Sequence, residues 1–277
     1  MASQEAGESL TGTAVESVDR WLLLEVTEPW APDAIESEAL PAPVRARLLQ
    51  WLEEPRSRLQ FIRRPGRSGK RPLFMVVYAA SDSLRTSQVE LDGYESLLDV
   101  ELDALPSSPS VPMCLVCVHG RRDRCCALHG GAVFRAIQSH GVDVWQTSHL
   151  GGHRFAACAL WLPDGLMYGR LRAEHAAAFV ASRRAGAIGN LDRFRGRCSY
   201  DRPTQAAEII LRRRLGEQAP DALQWLTTIP ESKSIWEARF RSATAEQVVR
   251  LQLVDTGATR PASCGGKPEP VMEFVEL

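Results

Sequence analysis

MCLVCVHGRRDRCCALHGGAVFRAIQSHGVDVWQT, residues 113–147, carries three patterns in succession. Met113–Val118 is a short apolar run of strand length. Ala127–Ser139 reads as a helix, and Val142–Thr147 returns to strand-like residues. Strand, helix and strand in this order open a mixed α/β unit. Downstream come a Gly-containing loop, strands near Arg154–Leu162 and Gly165–Leu171, and a helix over Ala173–Arg183.

A similar order precedes this stretch. Leu22–Val26 reads as a strand and Pro43–Glu54 as a helix. Strands at Leu59–Arg63 and Pro72–Ala80 follow, separated by the basic turn PGRSGKR of Pro65–Arg71, then a strand at Ser87–Leu91 and a helix over Tyr94–Ala104. The two series align best with PGRSGKR laid against SHLGGHR (Ser148–Arg154), which points to a degenerate duplication. Between them, PSSPSVP (Pro106–Pro112) has the composition of a linker. Beyond Asn190 the pattern predicts a helix at Thr204–Leu215, a shorter one around Pro220–Thr227, strands at Ile235–Arg241 and Val248–Val254, and a Gly/Pro-rich tail with Cys264. The expected organisation is a disordered N-terminus (1–17), a first domain (18–105), a linker (106–112), a second domain (113–215) and an α+β extension (216–277).

Composition narrows the classes of function. Of 277 residues, 44% are hydrophobic and 24% charged, which is globular and excludes collagen-like or wholly disordered chains. Thirty-three Lys+Arg against 34 Asp+Glu leave no global field to draw the chain to nucleic acid or to a membrane surface. No apolar run reaches the roughly 20 residues of a membrane helix. Met1–Ser17 reads as neither signal nor transit peptide, so a cytoplasmic location is expected. Of seven cysteines, four fall in the 13 residues from Cys114 to Cys126, a clustering that favours metal or redox chemistry in a reducing compartment.

Four soft or borderline donors stand at two loops of the second series. Cys117 ends a strand, Cys126 follows VHGRRDRC, and His149 and His153 lie in the loop after the next strand. Two thiolates and two imidazoles suit zinc, copper or an iron-sulfur cluster rather than calcium or magnesium. A C2H2 finger is excluded, because gaps of eight and 22 residues replace its two to four and about 12. A structural zinc site with long loops stays open.

The motif C-x-H-G-x-R-D-x-x-C (Cys117, His119, Gly120, Arg122, Asp123, Cys126), followed by SHLGGHRFA (Ser148–Ala156), resembles the sucrase/ferredoxin-like family. FIRRPG (Phe61–Gly66), LPDGLMYGR (Leu162–Arg170), RGRCSY (Arg195–Tyr200) and QAAEIILR (Gln205–Arg212) extend the resemblance over most of the chain. It implies an α/β fold of two thioredoxin-like, ferredoxin-type domains, the first without ligands. It also implies a 2Fe-2S cluster with Cys117 and Cys126 on one iron and His149 and His153 on the other, and an electron carrier more than a catalyst, serving unidentified donor and acceptor proteins. The word sucrase implies no sugar chemistry. Cys125 departs from the pattern, and motif register prefers Cys126. Around the ligands, His119, Gly120, Arg122, Asp123, Gly151, Gly152 and Arg154 are supporting candidates. Arg121, Arg122 and Arg124 are expected to favour thiolates, and Gly120, Gly151 and Gly152 to offer N–H groups to bridging sulfides.

Other readings compete. A His pair at i, i+4 is usually structural by itself. Cys117-x-His119 and Cys126-x-x-His129 imitate Rieske boxes, but six intervening residues leave too little chain for opposed loops. A thiol oxidoreductase would use Cys125 with Cys126 or Cys114 with Cys117, although Cys114 falls inside an apolar strand and reads as a buried structural thiol. Cys158, Cys198 and Cys264 also read as structural. The basic turn Arg63, Arg64, Arg67, Lys70 and Arg71 could dock an acidic partner, or be a solvated hairpin, but it is no P-loop. No dinucleotide fingerprint and no sign of a glycosidase carboxylate pair are present.

Overall fold

The computed structural model describes residues 2–66, 71–79, 84–109, 111–261, 263 and 266–277; Arg67, Lys70 and Cys264 lie outside them. After a one-turn helix α1 (Ala2–Glu5), the first half runs β1 (Arg20–Glu25), α2 (Ala42–Trp51), β2 (Ser57–Arg63), β3 (Leu73–Tyr78), β4 (Arg85–Glu90) and β5 (Ser107–Pro109). The second half runs β6 (Met113–Cys117), α3 (Arg124–Gln138), β7 (Val144–Thr147), β8 (Ala159–Leu162), β9 (Leu166–Tyr168), α4 (Ala176–Arg184) and β10 (Phe194–Arg197). Then come α5 (Arg202–Leu215), β11 (Gln224–Pro230), β12 (Ile235–Arg241), β13 (Glu246–Pro261) and β14 (Pro268–Glu276).

Strand pairing brings out the duplication. In the first half β1 is parallel to β2 and antiparallel to β3; in the second, β6 is parallel to β7 and antiparallel to β8. The described strands form one sheet in the order β10-β9-β8-β6-β7-β2-β1-β3-β4-β5, which reads symmetrically about its middle. The halves, each with the same strand order, meet where β2 and β7 pair antiparallel, Ile62 opposite Thr147 and Arg63 opposite Gln146. β1, β3 and β6 are nearly continuous apolar runs because both faces are covered. Leu22 and Leu24 meet Val44, Leu48 and Trp51 of α2, while Trp21 and Leu23 face a core shared with Leu115 and Cys117.

That shared face is closed by the N-terminal segment, where disorder was expected. Leu10, Ala14 and Val18 are buried in its core, and Val15 N–H donates to Met167 Sδ at 3.3 Å. Glu8, 4% exposed, accepts from Arg154 Nε at 2.9 Å and from Arg260 Nε at 3.1 Å, tying the segment to the His loop and to β13. Removing one member of a buried ionic group strands the others, so Glu8→Ala is expected to cost about 3 kcal/mol. Urea unfolding measures this, and a loss within about 0.5 kcal/mol would mark the segment as loosely laid.

Several sequence-based expectations need correction. Pro106–Pro112 is not a free linker: β5 pairs with the outer edge of β4. Tyr94–Ala104 forms 3-10 turns over Tyr94–Asp99 and Leu102–Ala104, and β10 was not anticipated. The helix expected around Pro220–Thr227 gives way to a turn and β11, whose Trp-Leu-Thr-Thr-Ile run suits a strand. The tail expected after Val254 continues β13 to Pro261 and forms β14. The described residues of 216–277 thus make an antiparallel sheet, β11-β12-β13-β14, without a helix of their own. Its inner residues Ala238, Phe240, Val249 and Leu251 pack on Ala206, Ala207 and Leu211 of α5. No helix among the described residues is long and apolar enough to cross a membrane.

Candidate metal centre

β6 and β7 run parallel with Cys117 opposite Thr147, so the loops that follow them leave from the same sheet edge. Such C-terminal strand ends are where open α/β sheets bind ligands. After β6 the chain turns through Val118–Gly120, whose Gly120 N–H donates to Val118 O at 2.8 Å. Asp123 caps α3 by accepting from Cys125 N–H at 2.8 Å. That start buries Cys126, in the first turn, to 2% exposure and leaves Cys125 half-buried. Gly130, one turn further, lets the helix lie directly on the strand end. A Cβ there would stand 2.0 Å from the Cys117 carbonyl oxygen.

The second loop is anchored on the ligand-free half. Ser148 Oγ accepts from Phe61 N–H at 3.0 Å and donates to Gln60 Oε1 at 2.9 Å. Gly151 and Gly152 then take left-handed backbone, with φ of +89° and +70°. A Cβ on Gly152 would lie 2.5 Å from a guanidinium nitrogen of Arg195. Arg195 Nη1 donates to Gly151 O at 3.0 Å and to Cys158 Sγ at 3.4 Å, which fixes the loop from behind.

Three of the four expected ligands converge. His149 Nδ1 lies 3.7 Å from Cys126 Sγ and 4.0 Å from Cys117 Sγ, and the three donor atoms are within 4.8 Å of one another. The ring of His153 stands 5.3 Å from that of His149, but its Nε2 is 3.8 Å from Asp123 Oδ2, outside the three-donor group. The Cys117 thiol is held well below its ordinary range, chiefly by a hydrogen bond from Cys126, then against burial by His149 and the His119 backbone N–H. Cys126 is correspondingly pushed up, first by that bond to Cys117 and then by burial. Soft donors and burial, with Cys117 biased toward the thiolate, fit a soft metal group.

The remaining candidates separate by place. His119 is buried, with Nε2 2.8 Å from Ala31 O and its ring edge-on to Trp30, so it supports Cys117 through the main chain. Arg121, Arg122 and Arg124 are exposed, and the main causes that lower Cys117 are the bond to Cys126 and His149. Gly120 offers no free N–H, as its bond to Val118 shows; its role is steric, a Cβ there meeting Ala127 Cβ at 2.7 Å. Arg154 faces Glu8 rather than the ligands. His129 Nδ1 lies 3.0 Å from Arg172 Nη1, outside the donor group, which disfavours the Rieske-like pairing.

Cys114 and Cys117 point to opposite faces of β6 and sit in different cores, so they form no redox pair. Burial raises the Cys114 thiol, lifts Cys158 to about 11 and lifts Cys198 to about 12, which makes all three poor nucleophiles at neutral pH. Of the basic turn, Arg63 donates to Gln146 Oε1 at 3.2 Å and covers Trp30, Arg64 pairs with Asp143, and Arg71 pairs with Asp92. The sequence assigns no site-building role to Gly130, Ser148 or Arg195, although Ser148 and Arg195 open the motifs SHLGGHRFA and RGRCSY. For Gly130 the signal is the Gly130-Gly131 pair inside a helix, since glycine there costs stability unless packing requires it.

A search of the curated proteins finds no match. Among solved structures, the chain is similar to two Cys-to-Ser variants of the thioredoxin-like 2Fe-2S ferredoxin from Aquifex aeolicus. They are 17% and 19% identical, each with a TM-score of 0.27, covering 30% of this chain and 97% of the ferredoxin. A further structure of a thioredoxin-like 2Fe-2S ferredoxin from Aquifex aeolicus is 18% identical with a TM-score of 0.25, covering 28% and 83%. The family model described as Sucrase/ferredoxin-like matches residues 10–196, more than half of the 277 residues and both loops of the metal centre. The chain belongs to the Sucrase/ferredoxin-like family.

Proposed function

We propose that the chain is an electron-transfer protein that holds one 2Fe-2S cluster through Cys117, Cys126, His149 and His153. The observation that carries this reading is the convergence of two buried thiols and the His149 imidazole, with a second imidazole ring 5.3 Å away. Such a cluster accepts and returns single electrons. The protein's part is to supply a thiolate at Cys117, deliver Cys126 from the first turn of α3, and fix the His loop through Ser148 and Arg195. A visible spectrum before and after dithionite tests the reading. A red-brown protein that bleaches on reduction supports it, and a colourless protein containing one zinc per chain overturns it.

Zinc is the second reading because of one observation. The S···N separations of 3.7 and 4.0 Å are near the edge of a tetrahedron around a single ion, about 3.5 Å for zinc bonds of usual length. Three donors satisfy a single ion with one position left over, whereas the cluster requires His153 to join them.

Imidazole ligands predict coupling of protons to electrons. An imidazole bound through one nitrogen keeps N–H on the other, and extra positive charge on the metal makes that proton easier to lose. The oxidised form therefore has the lower imidazole pKa. Between the two pKa values the reduction potential falls as pH rises, by at most about 59 mV per pH unit. His149→Cys or His153→Cys removes one coupled site and lowers the potential, because thiolate adds negative charge. Potentiometric titration followed by EPR measures both. A flat wild-type profile from about pH 6 to pH 10 counts against imidazole ligation.

A further inference from the structure

A cleft of about 360 Å³ opens beside the metal centre, between the ligand-free half and the His loop. Ile35, Leu49, Leu52 and Leu59 line it on the side of the first half, and His119 and His149 line it from the second. Its charged groups are Arg58, Arg122 and Asp33. Arg122 and Asp33 are exposed; Arg58, on β2, is half-buried.

Arg58 lacks a counter-charge. Its Nε is enclosed with no hydrogen-bond partner, and its Nη2 reaches His149 O only at a long 3.5 Å. No carboxylate lies within ion-pair reach of it among the described residues. Burial lowers its pKa from 12.5, Cys198 opposing and Arg195 adding repulsion, yet a guanidinium stays charged. A half-buried cation without a counter-charge is costly, and its planar donor fork matches a carboxylate. Leucine and isoleucine side chains beside such a group, with polar residues completing the lining, suit a small amphiphilic anion.

We propose that this cleft binds a small apolar carboxylate, its carboxylate paired with Arg58 and its apolar body against Leu49, Leu52 and Leu59. The site does not depend on which metal the centre holds. It places a small anion beside His149 and gives the ligand-free half a binding role of its own.

Calorimetric titration of the full-length protein with 2-naphthoate tests this, with 2-naphthalenemethanol as the neutral counterpart. The expected result is one saturable site for the carboxylate and binding at least about tenfold weaker for the alcohol. Arg58→Gln should weaken 2-naphthoate by about tenfold or more, whereas Arg122→Gln at the open rim should change it by less than about threefold. Leu49→Glu, at a position on α2 that is 50% exposed, should also weaken it, by about fivefold or more, through repulsion. Circular dichroism verifies the fold of each variant. Absence of saturable binding, equal affinity for acid and alcohol, or unchanged affinity in a folded Arg58→Gln protein would overturn the proposal. The visible spectrum of the same samples reports the iron-sulfur reading separately, so either reading can fail without the other.

Discussion

If the proposed cluster is present, Cys126→Ala is expected to leave the purified protein colourless, whereas Cys125→Ala should keep its full visible absorbance. The adjacent residues differ in direction alone: Asp123 starts the helix so that Cys126 turns in to Cys117 and His149 while Cys125 stays half-buried outside the donor group. Losing Cys126 does more than delete one donor. Its hydrogen bond is the largest cause of the lowered Cys117 pKa, so the remaining thiol moves back up and competes less well for metal at neutral pH. Cys117→Ala should have the same outcome, and Cys114→Ala should keep the metal because its side chain lies in the opposite core. Iron, zinc and sulfide analysis of the four variants decides the matter. Bleaching by Cys125→Ala with colour retained in Cys126→Ala would shift the ligand register by one residue.

Gly130→Ala is expected to be nearly as damaging although it touches no donor atom. The new methyl would stand 2.0 Å from the carbonyl oxygen of Cys117 and 3.2 Å from Val118 Cγ1. The first of these is backbone inside a sheet and cannot step aside, so α3 must move away from β6 and carry Cys126 with it. Overpacking of this kind costs about 3 kcal/mol, and the displaced thiol should release most of the bound metal. Gly131→Ala is the matched control. There the nearest atom is the end of the Arg135 side chain at 3.6 Å, so the helix gains about 1 kcal/mol in propensity with no collision. Thermal unfolding and metal content of the pair test the argument, and equal behaviour of the two variants would refute it.

The strands that proved easy to read in the sequence are those buried on both faces, since β1, β3 and β6 show as apolar runs whatever the register. In the C-terminal sheet β12 and the start of β13 were legible, whereas β11 and β14 hid because both are largely exposed and β14 carries Glu269, Glu273 and Glu276. The N-terminal segment hid for a different reason. Its composition is polar, and what orders it is Glu8 meeting Arg154 and Arg260, 146 and 252 residues away. At the metal centre, Cys117, Cys126 and His149 were legible because soft donors at two strand ends form a pattern by themselves. The role of Arg195 was not, because its grip on Gly151 spans 44 residues, although the residue itself stands in the motif RGRCSY.

The seam between β2 and β7 bears on how such a chain can be built at all. Produced alone, the half with the candidate ligands would present β7 as a bare edge, a row of backbone donors and acceptors that recruits any available strand. Because the seam is antiparallel, a second copy of the same half could occupy it about a two-fold axis, giving a homodimer with a centre on each side. Joining two such units in one polypeptide makes that pairing permanent. Only one of them then has to keep its ligands, and the other is free to become a wall: it covers the edge, holds Ser148 through Phe61 and Gln60, and turns Arg58 toward the space beside His149.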